Sequence, residues 1–512
     1  MRIIQLEEAL YRHFSYDFFR QGQKEIISDV LCGKDVLGVL PTGSGKSICY
    51  QLPAKLLDGI TIVVSPLISL MIDQVKELKA VGFKDVLALN SFLPFMEQQR
   101  ALNNLDSYRL IYVSPEWLQK RKHQNYLKQL PIKLFVVDEA HCISQWGHEF
   151  RPDYQRLHEV IEALNHPPVL ALSATATPDV QTDIIHSLNK PDMKRHIYPM
   201  DRNNIAFCVE EVENDQEKLE RIVEMTKSYF VPALIYFTSR QTAEETALSL
   251  SVKLPKRNIA YYHGGMEASE RLRVQQQFMN NQIDIICCTS AFGMGINKPD
   301  IRLVIHYHLP LQIESYIQEV GRAGRDGESS VGVILYHKGD FRLSANMVKN
   351  ELPSIEVIDR LIATIFTCQS TQVDLPSPEQ LHILLDINEG AARFIQRQLQ
   401  KYGLIQDNEW FINEKNWKQN RESVVQYLEK RQLYKNNKLN ELYRWVQTIN
   451  CLRQTLYQPF QDEFGEPTDQ CCSNCGFEWS KWAPEPLFKT PEASSPMNWR
   501  KKLQKILNME EA

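Results

Sequence analysis

The chain has 512 residues, with 43% hydrophobic and 24% charged residues and a formal net charge of −5. These values describe a globular chain of roughly three or four domains with full cores. They exclude a polycation that coats nucleic acid but leave room for a locally basic channel. No apolar run approaches the roughly 20 residues that span a bilayer. The opening Met1-Arg2-Ile3-Ile4-Gln5-Leu6-Glu7-Glu8 is too acidic and interrupted for a secretory signal. A cytoplasmic chain with reduced thiols is therefore expected.

In chain order, a first α/β unit is expected over residues 1–200. Short β-branched runs such as Thr61-Ile62-Val63-Val64, Leu110-Ile111-Tyr112-Val113, Leu134-Phe135-Val136-Val137 and Val169-Leu170-Ala171-Leu172 alternate there with helical segments. Such runs are the mark of parallel strands buried on both faces. The pattern pauses between 199 and 204 and resumes over 201–342, with strands expected around 233–237, 283–288 and 303–307. From about 343 the chain turns helical. Segments 355–366, 377–385 and 388–402 and a hairpin over 404–412 suggest a winged-helix-like module at 343–415. A basic helical stretch at 415–453 (Lys415, Lys418, Arg421, Lys430, Arg431, Lys435, Lys438, Arg444) opens a zinc-module segment at 416–480. Its cations suit either phosphate contacts or a solvated face. A Pro-rich tail at 481–512 turns amphipathic at Trp499-Arg500-Lys501-Lys502-Leu503.

The chemistry begins at Pro41-Thr42-Gly43-Ser44-Gly45-Lys46-Ser47, directly after the apolar run Val36-Leu37-Gly38-Val39-Leu40. A Gly-rich loop between a strand and a helix offers backbone N–H groups to phosphates. Lys46 would neutralise the β- and γ-phosphates of ATP and Ser47 would ligate Mg²⁺. Leu40 occupies the place of the first glycine of the general motif. Asp138-Glu139-Ala140-His141 follows an apolar run ending at Val137. That puts Asp138 where a second Mg²⁺ ligand must sit and Glu139 where it can orient and deprotonate water. In the second unit, Gln318-Glu319-Val320-Gly321-Arg322-Ala323-Gly324-Arg325 carries two arginines three apart. On one helix face they could cross the cleft to the γ-phosphate; taken alone they could equally lie on the surface.

With those segments in view, the chain resembles superfamily 2 helicases, and specifically the RecQ family, almost continuously over residues 1 to about 340. The ordered segments are Phe19-Arg20-Gln21-Gly22-Gln23, the phosphate loop, Ser65-Pro66-Leu67, Ser114-Pro115-Glu116 and the Asp-Glu-Ala-His box. Ser173-Ala174-Thr175, Tyr236-Phe237-Thr238-Ser239-Arg240, Thr289-Ser290-Ala291-Phe292-Gly293-Met294-Gly295 and the arginine segment follow. The resemblance implies two tandem RecA-like domains, each an α/β parallel sheet, with ATP in the cleft and Gln318, Arg322 and Arg325 completing the site. It implies that Gln23 reads the adenine edge, with Arg20 assisting and Tyr16 stacking, although Tyr16 alone could be a core aromatic. Ser144-Gln145-Trp146-Gly147-His148-Glu149-Phe150-Arg151 resembles the family's aromatic-rich loop. Trp146, His148, Phe150 and Arg151 would contact single-stranded DNA by stacking and clamping. By resemblance the enzyme moves 3′ to 5′ on single-stranded and branched DNA in repair and recombination. Partners would be single-strand-binding or recombination proteins, and the chain would be a monomer, nucleoid-associated if bacterial. An RNA-dependent ATPase of the same superfamily and a non-catalytic nucleic-acid-binding protein are the alternatives.

The last third departs from the family pattern. Cys451 and Cys471-Cys472-Ser473-Asn474-Cys475 resemble the family's zinc module, and four thiolates suit structural Zn²⁺; Glu478 would be a poorer ligand, and four reduced structural thiols remain the alternative. They come late, so the winged-helix-like segment precedes the zinc module, and the family's helical accessory domain is expected to be missing. Trp410 or Phe411 could wedge a DNA fork, though packing is the plainer role for both.

Overall fold

The structure is a computed structural model that describes residues 3–485 apart from 91–92, 94, 145–150, 294–297, 372–376 and 407–408. Seven parallel strands form the first sheet: β1 (Val36–Val39), β2 (Ile60–Val64), β3 (Val86–Leu89), β4 (Leu110–Val113), β5 (Ile132–Val137), β6 (Val169–Ser173) and β7 (Lys194–Ile197), in the order β3-β4-β2-β5-β6-β1-β7. Helices cover both faces, which is why β1, β2, β4 and β6 are buried along their whole length. β7 escapes a hydrophobicity reading because it opens with Lys194-Arg195-His196 and only His196 is partly buried; charge on an edge strand discourages further pairing. The second sheet has six parallel strands: β8 (Ile205–Glu211), β9 (Ala233–Tyr236), β10 (Ile259–Tyr262), β11 (Ile285–Cys288), β12 (Leu303–His306) and β13 (Ser330–Tyr336), in the order β10-β11-β9-β12-β13-β8. The two-sheet α/β reading holds.

In each sheet the residues that matter chemically sit past the carboxyl ends of strands, where open α/β sheets place ligands. The phosphate loop follows β1 and the Asp138-Glu139 pair follows β5, with only β6 between them.

The C-terminal region divides unexpectedly. Helices Ile355–Thr371 and Glu389–Lys401, the short hairpin Ile405–Gln406 with Glu409–Trp410, and one end of a 33-residue helix (Glu414–Val446) share a small core. Trp417, Val424 and Leu428 of that long helix belong to this core, whereas Leu442, Trp445 and Val446 pack into the core of the second sheet. The boundary expected at 415/416 therefore falls just inside the start of a continuous helix shared by two bodies. Asn413 and Asn416 form its capping box, a strong local start that is hard to interrupt.

Half of the basic stretch is engaged with the protein itself. Arg421 makes a two-pronged pair with Asp359 at 2.9 and 2.7 Å, Lys435 pairs with Glu351 at 2.6 Å, and Lys438 holds Glu314 at 2.8 Å. Arg431 is buried. Half the cations are thus used to seat the helix against its neighbours, which leaves Lys415, Lys418, Lys430 and Arg444 on the surface. Trp410 packs on the small core, but Phe411 is 47% exposed, so packing covers one of the two hairpin aromatics. The amphipathic segment at 499–503 lies outside the described residues. No described helix is long and apolar enough to cross a membrane.

One buried ion pair braces the second sheet. Lys218 Nζ donates to both carboxylate oxygens of Asp340, at 2.8 and 2.7 Å, and to the Tyr307 carbonyl at 2.7 Å; neither charged side chain is more than 2% exposed. Removing one partner strands a charge in a dry site. Lys218→Met should therefore cost about 3–5 kcal/mol, read as an earlier urea transition. A loss under about 1 kcal/mol would mean that water reaches Asp340 once the amine is gone.

Candidate active site

The phosphate loop is shaped by two glycines in left-handed backbone, Gly43 at φ 84° and Gly45 at φ 74°, which side chains with a Cβ rarely adopt. A Cβ on Gly43 would come within 3.1 Å of Arg202 Nη1 and 3.2 Å of Arg325 Cγ. Leu40 explains the missing first glycine. Its N–H donates to the Ser173 carbonyl at 3.1 Å and its side chain is fully buried, so the chain continues as strand for one more residue. Lys46 and Ser47 stand at the entrance to helix Ile48–Leu56.

Opposite them, Asp138 N–H donates to the Val64 carbonyl at 2.9 Å and the Tyr154 hydroxyl donates to the Asp138 carbonyl at 3.1 Å, which fix the tip of β5. Glu139 then takes φ 48°, ψ 51°. A non-glycine residue there stores on the order of 1–3 kcal/mol of strain, which persists only where the surroundings impose it. His141 Nδ1 lies 3.4 Å from Glu139 Oε2 and 3.0 Å from Ser173 Oγ. It ties the carboxylate to the Ser173-Ala174-Thr175 tip of β6.

The second domain closes the cleft. The helix Ile313–Val320 stops before the arginines, and residues 321–327 form turns with Gly324 at φ 54° and Gly327 at φ 95°. Arg322 and Arg325 therefore do not share a helix face as their spacing suggested; a turn aims each separately. Arg322 is 4% exposed and donates to the Gly293 carbonyl, while Arg325 lies over Gly43.

A cavity of about 390 Å³ results, lined from the first domain by Tyr16, Arg20, Gln23, Thr42, Gly43, Gly45, Lys46, Ser47, Asp138 and Glu139, and from the second by Gln318, Arg322 and Arg325. Tyr16 is 54% exposed, so it is not a core aromatic. Gln23 departs from expectation. Its Nε2 donates to the Ser44 and Gly45 carbonyls at 2.8 and 3.0 Å and its Oε1 accepts the Arg20 N–H at 2.9 Å. The carboxamide braces the phosphate loop here instead of presenting a free edge to a base. Arg20 Nη1 also donates to the Gly43 carbonyl, at 2.5 Å.

Charge in the cavity is crowded by sign. Burial, followed by Glu139, raises the Asp138 carboxyl to about 7, partly offset by Lys46. Burial, then Arg322 and Arg202, lowers the Arg325 guanidinium to about 9. Burial also lowers Lys46, against the pull of Glu139 and Asp138. Two carboxylates beside one another suit a divalent cation, and clustered arginines above the phosphate loop suit an anion. The Thr42 and Ser44 hydroxyl oxygens are buried with no hydrogen-bond partner, at the place where phosphate oxygens would be met. The residue set thus fits ATP with Mg²⁺.

Sequence reading missed Arg202, which touches the phosphate loop from the interdomain linker, and Gln51, Gln74 and Glu77, which line the cavity. The last three sit on helices with no distinguishing motif. Of the expected DNA contacts, Trp146, His148 and Phe150 lie outside the described residues. Arg151 is half-buried, its N–H bound to the Cys142 carbonyl at 2.9 Å, directly downstream of the Asp-Glu-Ala-His turn.

The four cysteines converge as expected. The sulfurs of Cys451, Cys471, Cys472 and Cys475 all lie within 4.8 Å of one another, with Cys451 to Cys471 at 3.6 Å and Cys472 to Cys451 at 4.0 Å. Tetrahedral Zn²⁺ with Zn–S near 2.3 Å needs sulfurs about 3.8 Å apart. The donor set fits zinc. The hydrogen bond from the Cys471 thiol draws Cys472 down and raises Cys471 in turn, so the four thiols share their protons as one cluster. Glu478 is engaged with Lys481 at 2.6 Å and stands outside the cluster.

Two parallel-sheet domains, a phosphate loop and Asp-Glu-Ala-His box on one and an arginine segment on the other, define the motor of a superfamily 2 helicase. The sequence matches the DEAD/DEAH box helicase family over residues 20–184 and the helicase conserved C-terminal domain over 216–327. Similar solved structures include the Mycobacterium smegmatis helicase Lhr bound to ssDNA and AMP-PNP (TM-score 0.54, 21% identity, 67% of this chain and 49% of that one). The DEAD-box helicase Mss116 bound to ssRNA is another (TM-score 0.56, 16% identity, 78% and 93%). At these identities the likeness is one of fold. Among sequences, the chain is 40% identical to the probable ATP-dependent DNA helicase RecS of Bacillus subtilis, over 99% of this chain and 98% of that protein. It is 43% identical to the ATP-dependent DNA helicase RecQ of Haemophilus influenzae, over 64% of this chain and 52% of that protein. The chain belongs to the RecQ family. Its alignment with RecS runs through the cysteine cluster to the end, whereas the alignment with RecQ covers about two thirds of the chain.

Proposed function

We propose that this chain is an ATP-driven DNA helicase that moves 3′ to 5′ along single-stranded DNA and separates duplex or branched DNA. The observation that carries the reading is the closed cleft, in which two carboxylates and two arginines from opposite domains face one phosphate loop. In this reading Lys46 and the loop amides hold the β- and γ-phosphates, and Ser47 and Asp138 hold Mg²⁺. Glu139 takes the proton of the attacking water, and Arg322 and Arg325, with Gln318 beside them, meet the charge that develops on the γ-phosphoryl group. Hydrolysis severs the γ-phosphoryl group, and release of that phosphate removes the anion that holds the arginines against the loop, so the domains part and the DNA track advances. The aromatic segment 145–151, a few residues after Glu139 in sequence, is the natural place for DNA to influence water activation. Zn²⁺ on Cys451, Cys471, Cys472 and Cys475 would hold the C-terminal module together.

Steady-state ATP hydrolysis with single-stranded DNA, and strand separation on forks, junctions and 3′- or 5′-tailed duplexes, test the motor directly. Glu139→Gln should lower kcat by about 10²-fold or more while nucleotide still binds, and should abolish unwinding. RNA that stimulates hydrolysis as well as DNA does would point to the RNA-dependent alternative. For the metal, one zinc per chain is expected by elemental analysis. Cys475→Ser should lower both zinc content and thermal midpoint; full zinc retention in that variant would remove Cys475 from the ligand set.

A further inference from the structure

The linker between the two sheets is held by the C-terminal module. Gln461 Oε1 accepts the Met200 and Asp201 N–H groups at 2.7 and 3.1 Å, and Thr468 N–H donates to the Asn203 carbonyl at 3.0 Å. Arg453, 2% exposed, donates to Asp201 at 2.5 Å, to the Arg202 carbonyl at 3.0 Å and to the Ile205 carbonyl at 2.5 Å. The linker residue fixed in this way, Arg202, points into the cleft. Its Nη1 donates to the Thr42 carbonyl of the phosphate loop at 3.0 Å and to the Gly321 carbonyl at 3.1 Å. Its Nη2 donates to the Ala323 and Gly324 carbonyls at 3.2 and 2.5 Å.

Arg202 thus bridges the phosphate loop and the backbone that carries Arg322 and Arg325. We propose that Arg202 is a positioning residue that latches the closed cleft, and that Arg453 and the linker contacts of the C-terminal module set its place. The physical logic is geometric. Arginine presents donors in a rigid planar fork, so four carbonyls from two domains can be met in one arrangement only. When the domains part, the Thr42 bond breaks while the three arginine-segment bonds persist, so the latch travels with the second domain. Arg202 reaches carbonyl oxygens and not the phosphate, so its loss should spare nucleotide binding and slow the step that needs Arg322 and Arg325 in register. This inference rests on the ATP reading above.

The test uses the full-length chain with saturating single-stranded DNA. Nucleotide affinity is measured with a fluorescent ATP analogue, and kcat and KM are measured separately. Arg202→Ala should lower kcat by about tenfold or more, as misplacement of catalytic groups by about an ångström does, with analogue affinity within about threefold of the parent. Arg202→Lys keeps the charge without the fork and should recover part of kcat. If Arg202→Ala fails to fold, Arg202→Lys decides alone. A kcat below a third of the parent with unchanged affinity supports the latch, and parental kcat overturns it. Parental kcat in Arg202→Ala, or equal losses of kcat and affinity, also overturns it. If the parent chain itself does not hydrolyse ATP, the ATP reading fails, which is a separate result.

Discussion

The structure depends on a charge problem that no single domain solves. A phosphate loop with Lys46 on one side and Arg322 and Arg325 on the other crowds positive charge into a cavity of about 390 Å³. Burial has already pushed Arg325 down to about 9. Such a cleft is stable when an anion sits between the cations and strained when it does not. The Asp138-Glu139 pair poses the mirror problem, since burial and mutual repulsion raise Asp138 and call for a divalent cation. ATP with Mg²⁺, as proposed, would answer both at once. On the proposed reading, domain closure is linked to the charge state of the nucleotide, as a motor requires.

Where chemistry dictates residue type, the sequence was readable. The phosphate loop needs glycines at positive φ, and Gly43 and Gly45 are there; the Mg²⁺-side carboxylate must cap a buried strand, and Asp138 follows Val137. Most strands of the sheet interior announced themselves because both faces are covered, but the buried interior strand β13 was not among those expected. β7 did not, because an edge strand answers to solvent and its residues are Lys, Arg and His. Arg322 and Arg325 were legible as a pair but not as a conformation. Spacing by three suggested a helix face, and Gly324 ends any such continuation by taking φ 54°.

The C-terminal third was the least legible for a different reason. Its signals are tertiary. A run of basic residues looks the same whether it meets phosphate or Asp359, Glu351 and Glu314, and the three acids lie far away in sequence. The domain boundary drawn at 415/416 followed a change in composition, whereas the helix Glu414–Val446 runs through it and gives one end to each of two cores. A rigid rod of this kind transmits the position of the small helical module to the second sheet.

The late cysteine cluster, which looked like a displaced accessory, makes most sense as part of the motor's frame. It lies along the edge strand β8: the Phe207 N–H donates to the Cys471 carbonyl at 3.1 Å and Phe207 forms a bridge with Cys472. An exposed edge is thereby covered. The chain then continues around the same domain, where Trp482 packs on Tyr229 with ring centres 4.7 Å apart, among residues of the opposite face of the sheet. The C-terminal segment thus clasps both faces of the second domain and the linker that precedes it. Small displacements at a hinge become large ones at a cleft, so the contacts on the linker bear on the geometry of the site. An order of modules that puts the cysteines last in sequence still places them first in space, against the residues where the two halves of the motor join.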